Sequence, residues 1–417
     1  MQHSTTEPYQ LKREIFHFAQ EISAGANRDW QKFTADMMFG IMASGSCVLS
    51  KIADPLQESI QKKNTIWRLS RKLTENVPAI INDNYLKMTQ RVAGEGAPIF
   101  VDDSDVTKPY GQAFEALGLV RDGSSPDKKI EKGYYVTEVV TLSQRTHQPV
   151  SLFSNVHSSR EKDYVSANDI TFKALDRVFP LYPTSTYVFD RGYDMNHLFT
   201  FMYKNKKDFV IRLTEKRNLY HKGKWYSATT LRDSHKGKLK TNVMYKGVQA
   251  ECWMTCINTQ ITESRRPLKL VLIYGLSDTP MMLATNRQIL CKDDVIRVAR
   301  LYFMRWHIEE YFRFKKQHLG FENFRVRSLS AINVLNRMMS YAICFLSIIS
   351  EKKESSVLRH ALMREANALK KEEEVSFLLY RIGLGVCRIL ARANSGIRNW
   401  FHIGRPRFEQ LTFPLLC

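Results

Sequence analysis

Two short apolar runs, each ending on an aspartate, constrain this chain more than any other feature: Ile99-Phe100-Val101-Asp102 and Tyr187-Val188-Phe189-Asp190. Runs of this kind, bounded by Gly, Pro and Asp, read as strands covered on both faces. A carboxylate at the end of such a strand is carried on a rigid element at the rim of a sheet, where a cleft can form and where a metal site could be built. Either aspartate alone is ordinary turn chemistry. Two strands that end alike in one chain raise the question of a shared site.

The texture around these runs is mixed α/β. From about Leu11 to Val92 apolar residues recur at helical spacing, first Leu11, Ile15, Phe18 and Ile22, then Met37, Ile41, Leu49, Ile52 and Leu56. Gly40, Gly45 and Ser46 break that periodicity, so two short helices and a turn are expected, which suits a helix-turn-helix or any helical bundle. From Ala97 β-rich runs take over: Ile99 to Val101, Tyr134 to Leu142, Val150 to Phe153 and, after a helix near Ile170 to Val178, Tyr187 to Phe189. Phe209 to Ile211, Thr241 to Tyr245, Cys252 to Ile257 and Leu268 to Tyr274 are strand-like again and suggest an all-β insertion at about 207–288. A long helix is then predicted from Asp293 and Asp294, whose carboxylates suit a helix N-terminus, to about Leu319, with Gly320 as its stop. The remainder from Ala331 is mostly helical up to a tail containing Pro and aromatic residues.

The length of 417 residues exceeds the about 250–300 at which one hydrophobic core stops growing, so two or three units are expected. We divide the chain into an N-terminal helical domain over 1–95 suited to DNA contact, a mixed α/β domain over 96–345 that holds both Asp-terminated runs and the β insertion, and a helical region over 346–417 suited to dimerisation or DNA contact. Sixty-two Lys and Arg against 42 Asp and Glu leave a net charge of +20, spread over the whole length. That excess points to a polyanionic partner, with nucleic acid ahead of an anionic membrane. The longest apolar stretch, Met338 to Ile349, is too short to span a bilayer and reads as a buried helix; no membrane association is expected. The N-terminus is polar, without a signal peptide or lipidation motif, and seven scattered cysteines fit a reducing cytoplasm. Cys252 and Cys256 lack a second pair at ligand spacing, which argues against a structural metal there.

The predicted long helix carries the sharper signal. Tyr302, Arg305, Glu309 and Lys316 project at roughly 0, −60, −20 and −40° around a helix of 100° per residue, so all four share one narrow stripe. An aromatic, two cations and a carboxylate do not make a core face, and the stripe outruns an i,i+4 ion pair. Glu310 points about 100° away from Glu309, which singles out Glu309 as the acid of the stripe. His307 reads as a helix residue and not as a ligand.

The spacing Y-x(2)-R-x(3)-E-x(6)-K, formed here by Tyr302, Arg305, Glu309 and Lys316, resembles the signature of the insertion-sequence-four family of bacterial DDE transposases. Arg305-Trp306-His307-Ile308-Glu309 is similar to the R-W-x-I-E form of that family. Asp190-Arg191-Gly192-Tyr193 resembles its second-aspartate motif, and Val101-Asp102-Asp103-Ser104-Asp105 its first. The resemblance covers roughly residues 20–345 and implies a ribonuclease-H-like catalytic core. It implies further that Asp102, Asp190 and Glu309 are the catalytic metal ligands and that Tyr302, Arg305 and Lys316 contact the backbone of the transposon end. Arg191 would help to position the same strand. Asp102 is preferred because it ends the apolar run, Asp103 lies on the opposite side of the strand, and Asp105 is the competitor if the register slips.

Physical chemistry agrees with that identification. Three carboxylates suit two hard Mg²⁺ ions, with Mn²⁺ as the alternative, better than imidazole or thiolate would. The expected function is that of a cut-and-paste transposase that binds the terminal inverted repeats of an insertion sequence and cuts and rejoins double-stranded DNA. It would act as a homodimer in the synaptic complex, in a bacterial cytoplasm, associated with the nucleoid. Family members that form DNA hairpins use an aromatic from the β insertion to hold a flipped base; no tryptophan directly precedes Tyr302, and Trp225 and Trp253 lie farther upstream. Lys204, Lys206, Lys207, Arg212, Lys216, Arg217, Lys222 and Lys224 form a basic run suited to phosphate contact without base readout.

Overall fold

The two Asp-terminated runs lie side by side in the computed structural model, which describes residues 6–123, 125, 127, 129–245, 247–353, 356–367 and 378–402. Strand β1 (Ile99–Thr107) pairs in parallel with β5 (Thr186–Phe189), Val101 opposite Phe189, so Asp102 and Asp190 follow at the same level of the sheet. On its other side β1 pairs antiparallel with β3 (Ile130–Leu142), and β2 (Gly118–Arg121) and β4 (Pro149–His157) line the far side of β3. Helix α6 (Ala167–Val178) leads into β5; the Ser166 side chain caps it by accepting from the Asp169 N–H at 3.1 Å. Helix α7 (Asn196–Lys204) then crosses over to β6 (Asp208–Arg212), which runs parallel to β5.

Beyond β6 the sheet continues without a gap. β12 (Met281–Thr285), β11 (Arg266–Tyr274) and β10 (Val248–Ile261) follow in antiparallel order, and β7 (Asn218–His221), β8 (Lys224–Ser227) and β9 (Leu239–Tyr245) complete the outer end. The stretch expected to be all-β is therefore only mostly so. Its first strand, β6, belongs to the parallel centre of the sheet, and a short helix, α8 (Ala228–Asp233), interrupts the rest. The reason is local: Ser227 caps α8 by accepting from the Thr230 N–H at 3.0 Å, a helix start that strand propensity alone does not register.

The helix predicted from Asp293 to Leu319 is also broken. Helix α9 (Lys292–Phe303) begins where expected, with the Asp294 carboxylate accepting the N–H groups of Leu290 and Cys291 at 3.0 and 3.2 Å. It tightens at Met304 and Arg305, where the Arg305 N–H bonds Tyr302 O three residues back. Helix α10 (Trp306–Arg313) follows, and Phe314–His318 form one π-helical turn. Neither irregularity involves Gly or Pro, so the sequence carries no punctuation for it.

At the N-terminal end, α1 (Glu7–Ile22), α2 (Arg28–Ser44), α3 (Leu49–Ala53), α4 (Lys62–Leu73) and α5 (Ala79–Ala93) form the expected helical stretch. Gly40 does not break it. A Cβ at that position would lie 2.5 Å from the Ile52 side chain and 2.6 Å from its carbonyl oxygen, so glycine lets α2 and α3 pack in contact. The turn falls at Gly45, whose φ of 56° is left-handed. Helix α11 (Leu329–Glu351) is long and apolar enough to cross a membrane, longer than the apolar run foreseen, but 83% of its apolar window is buried. It is a core helix against β4 and α2; α12 (Val357–Glu365) and α13 (Leu378–Leu390) pack beside it and against α1. The tail beyond 402 lies outside the described residues.

Candidate active site

The middle of β1, the end of β5 and the broken helix converge at one place. Asp102 does not end its strand as the apolar run suggested: β1 continues to Thr107 because β3 goes on pairing with it, and only the pairing with β5 stops at Val101. Asp102 and Asp190, which follows the last residue of β5, thus lie on neighbouring strands about 5 Å apart, and the α9–α10 junction passes over them. The Tyr302 hydroxyl donates to Asp190 Oδ1 at 3.3 Å. Arg305 spans the gap: Nη1 donates to Asp102 Oδ2 at 2.9 Å and Nη2 to Glu309 Oε1. The tightening at residues 304–305 thus sits where Tyr302 and Arg305 reach the two aspartates and Glu309. Arg191 is exposed on the short 3₁₀ turn after Asp190.

The neighbouring acids have other partners. Asp103 points to the opposite side, where it accepts from Thr137 Oγ1 at 2.5 Å and from the Tyr193 hydroxyl at 3.0 Å. Asp105 is buried; Lys316 Nζ lies 3.4 Å from its Oδ2 and the Gly123 N–H 3.2 Å from its Oδ1. Lys316 also reaches Glu322 at 3.4 Å. The structure therefore groups Asp102, Asp190, Tyr302, Arg305 and Glu309, and places Asp105 with Lys316 farther along the same helical arm. His307 pairs with Glu310 at 3.2 Å, away from this group.

Burial raises both Asp102 and Asp103, but Asp102 is the one held by Arg305. Burial pushes the Asp102 carboxyl up to about 7, Asp190 and Asp103 add to the shift, and Arg305 opposes it. Burial and the charge of Asp190 likewise push Tyr302 up to about 12, so its hydroxyl stays protonated and donates. A buried carboxylate beside a second one needs a cation, and Arg305 provides it imperfectly: its Nε is buried without a partner among the described residues.

As a set of donors, Asp102, Asp190 and Glu309 fit hard divalent cations. As they stand, no three His, Cys, Asp or Glu side chains among the described residues are grouped closely enough to hold a metal ion. Glu309, whose side chain is 52% exposed, is engaged by the Arg305 guanidinium. Its exposure leaves it free to swing, so assembly of a metal site requires Arg305 to release its two carboxylates.

One neighbour of the site went unnoticed in the sequence. Lys315 Nζ is fully enclosed and bonds Glu138 Oε1 at 2.6 Å, with Ser154, Tyr311 and Ser340 around it. Glu138 lies directly opposite Asp102 on β3 and accepts further bonds from Ser151 and Ser154 at 3.1 and 2.6 Å. The available signal was a lone charge inside the apolar strand Tyr134-Tyr135-Val136-Thr137-Glu138-Val139-Val140.

Compared with known families, residues 98–345, more than half of the chain, match a model described as a transposase DDE domain. No curated protein matched the sequence.

Proposed function

Since the chain belongs to the transposase DDE-domain family, we propose that it is a cut-and-paste transposase of the insertion-sequence-four kind, with Asp102, Asp190 and Glu309 as the ligands of two Mg²⁺ ions. The family acts on DNA and implies a metal-dependent nuclease and strand transferase. The reading adds the terminal inverted repeats as substrate, in-line attack on the phosphodiester and a homodimeric synaptic complex.

The observation that carries it is the closure of one helical stripe on the acids of two adjacent strands, Tyr302 onto Asp190 and Arg305 onto both Asp102 and Glu309. The sheet supports a ribonuclease-H-like core: β4, β3 and β1 are antiparallel, β5 and β6 join β1 in parallel, and β7 to β12 with α8 read as an insertion before α9. When bound, a pair of divalent ions activates the attacking oxygen and stabilises the leaving 3′-oxygen. The chain itself supplies position and charge. Arg305, once displaced from the carboxylates, offers a guanidinium fork to the phosphate flanking the scissile bond, and Tyr302 donates a hydrogen bond beside it. Lys316 and Arg191 extend the contact to neighbouring phosphates.

The test is cleavage and strand transfer on a duplex carrying the element end, with Mg²⁺ or Mn²⁺. The wild type cuts and joins; Asp102→Ala, Asp190→Ala and Glu309→Ala each lose about 1000-fold or more while still binding the duplex. Undiminished cutting by these variants sinks the reading.

A further inference from the structure

A polar cavity lies at β4, beside the Glu138 end of the sheet. It is enclosed by α5, β4, the C-terminal end of α6 and the middle of α11, and has a volume of about 60 Å³, room for several waters or one small oxyanion. Arg177 from α6 and Arg337 from α11 both line it. Among the described residues neither guanidinium has an ion-pair partner or a hydrogen bond, and no acidic residue lines the cavity.

The remaining walls also offer donors. Asn82 accepts from the Tyr341 hydroxyl at 2.9 Å through its oxygen, and its amide N–H₂ has no partner among the described residues. The Asn155 side chain lines the cavity as well, without a hydrogen-bond partner among the described residues. Ser151 and Ser154 donate toward Glu138, whose charge is already met by Lys315. Burial lowers the Arg337 pKa, the Tyr341 hydroxyl opposes that shift, and the like charge of Arg177 adds to it. Two like charges facing one cavity, one half-buried and one at the exposed rim, repel each other, and an anion between them would offset both the repulsion and the burial of Arg337.

We propose that this cavity is an anion-binding site for a single phosphate group, held by Arg177 and Arg337 with Asn82 and Asn155 as neutral donors. Guanidinium forks match the planar pairs of oxygens on a phosphate, and the exposed position of Arg177 gives a route from solvent. The phosphate comes from a DNA backbone or from free phosphate. The first source rests on the transposase reading, and the site itself does not.

The experiment measures thermal unfolding of the full chain, free of DNA and added metal, in inorganic phosphate against chloride at matched ionic strength. In parallel, the salt dependence of binding to a non-specific duplex is recorded. The variants are Arg337→Gln and, at the solvent-facing rim where folding is not at stake, Arg177→Gln. For the wild type, phosphate at about ten times Kd raises Tm by roughly 2 °C in a saturable manner, and each variant loses the shift. If the slope of log K against log salt also falls by about 1 in the variants, the DNA backbone is the source. A changed slope without a free-phosphate shift supports the DNA source alone, and a phosphate shift with an unchanged slope supports a free anion. Equal shifts and equal slopes in wild type and Arg177→Gln overturn the proposal, whatever the cleavage assay shows.

Discussion

Glu138 and Asp102 face each other across one rung of the β1–β3 ladder, and each is bonded to a cation of the same helical arm, Lys315 in one case and Arg305 in the other. The two pairs are built to opposite ends. Glu138–Lys315 is sealed: both side chains are essentially inaccessible, and serine and tyrosine hydroxyls surround the charges. Asp102–Arg305–Glu309 is open on the Glu309 side, and Arg305 keeps a buried Nε without a partner among the described residues. A sealed pair fixes the arm in register against β3, and an open pair lets its partners be exchanged. One arm thus carries an anchor and, about two turns earlier, an ion-paired group whose partners can be exchanged.

The sharpest way to break this contrast is to remove half of the anchor. Lys315→Met leaves the Glu138 carboxylate buried and unpaired, and urea denaturation should show a loss of about 3–5 kcal/mol. Adding Glu138→Leu should restore most of it, because an apolar pair of similar volume replaces a desolvated ion pair at little cost. A double variant as unstable as the single one would mean that the network is needed as a whole.

Arg305→Gln sharpens the contrast from the other side. Stability should change by no more than about 1 kcal/mol, since Asp102 can take up a proton and Glu309 is already half exposed. Calorimetry on the DNA-free protein should show divalent-ion affinity raised several-fold, because the guanidinium no longer competes for the carboxylates. An unchanged affinity would remove Arg305 from the role given to it.

The smallest effect is a slope with pH. Asp102 titrates at about 7 in the folded chain against an ordinary 3.8, so between about pH 4 and 7 the folded state binds more protons than the unfolded state. In metal-free buffer this group therefore lowers stability as pH rises through that window, with no further change above it. Chemical denaturation of wild type and Asp102→Asn across that range should show the slope in the wild type alone; matching slopes would place the shift elsewhere.

Much of the frame is legible in the sequence. The apolar runs before Asp102 and Asp190 mark β1 and β5, and Asp293 and Asp294 mark the acidic start of α9; only β5 ends at its aspartate, since β1 continues through Asp102 to Thr107 on its pairing with β3. The stripe of Tyr302, Arg305, Glu309 and Lys316 came from helical periodicity, although that helix is broken at Arg305 and passes into a π turn at Phe314. Those breaks carry no Gly or Pro, so local sequence gives no mark for them. Gly40 misled in the opposite sense, since its missing Cβ serves the packing of α2 on α3 and not a turn. The Glu138–Lys315 pair joins positions 177 residues apart, and Arg177 and Arg337 are equally remote in the chain; local pattern has no access to such partners.

The central claim is that Asp102, Asp190 and Glu309 form one divalent-metal site. Its most direct test needs no cognate DNA. Fe²⁺ substituted for the native ion and exposed to ascorbate and peroxide generates hydroxyl radicals that cut the polypeptide next to the metal, and the fragments can be mapped by mass spectrometry. The account predicts scission clustered near residues 102, 190 and 309, suppressed by excess Mg²⁺ and lost in Asp190→Ala. Scission elsewhere in the chain, or a pattern unchanged in Asp190→Ala, would contradict it.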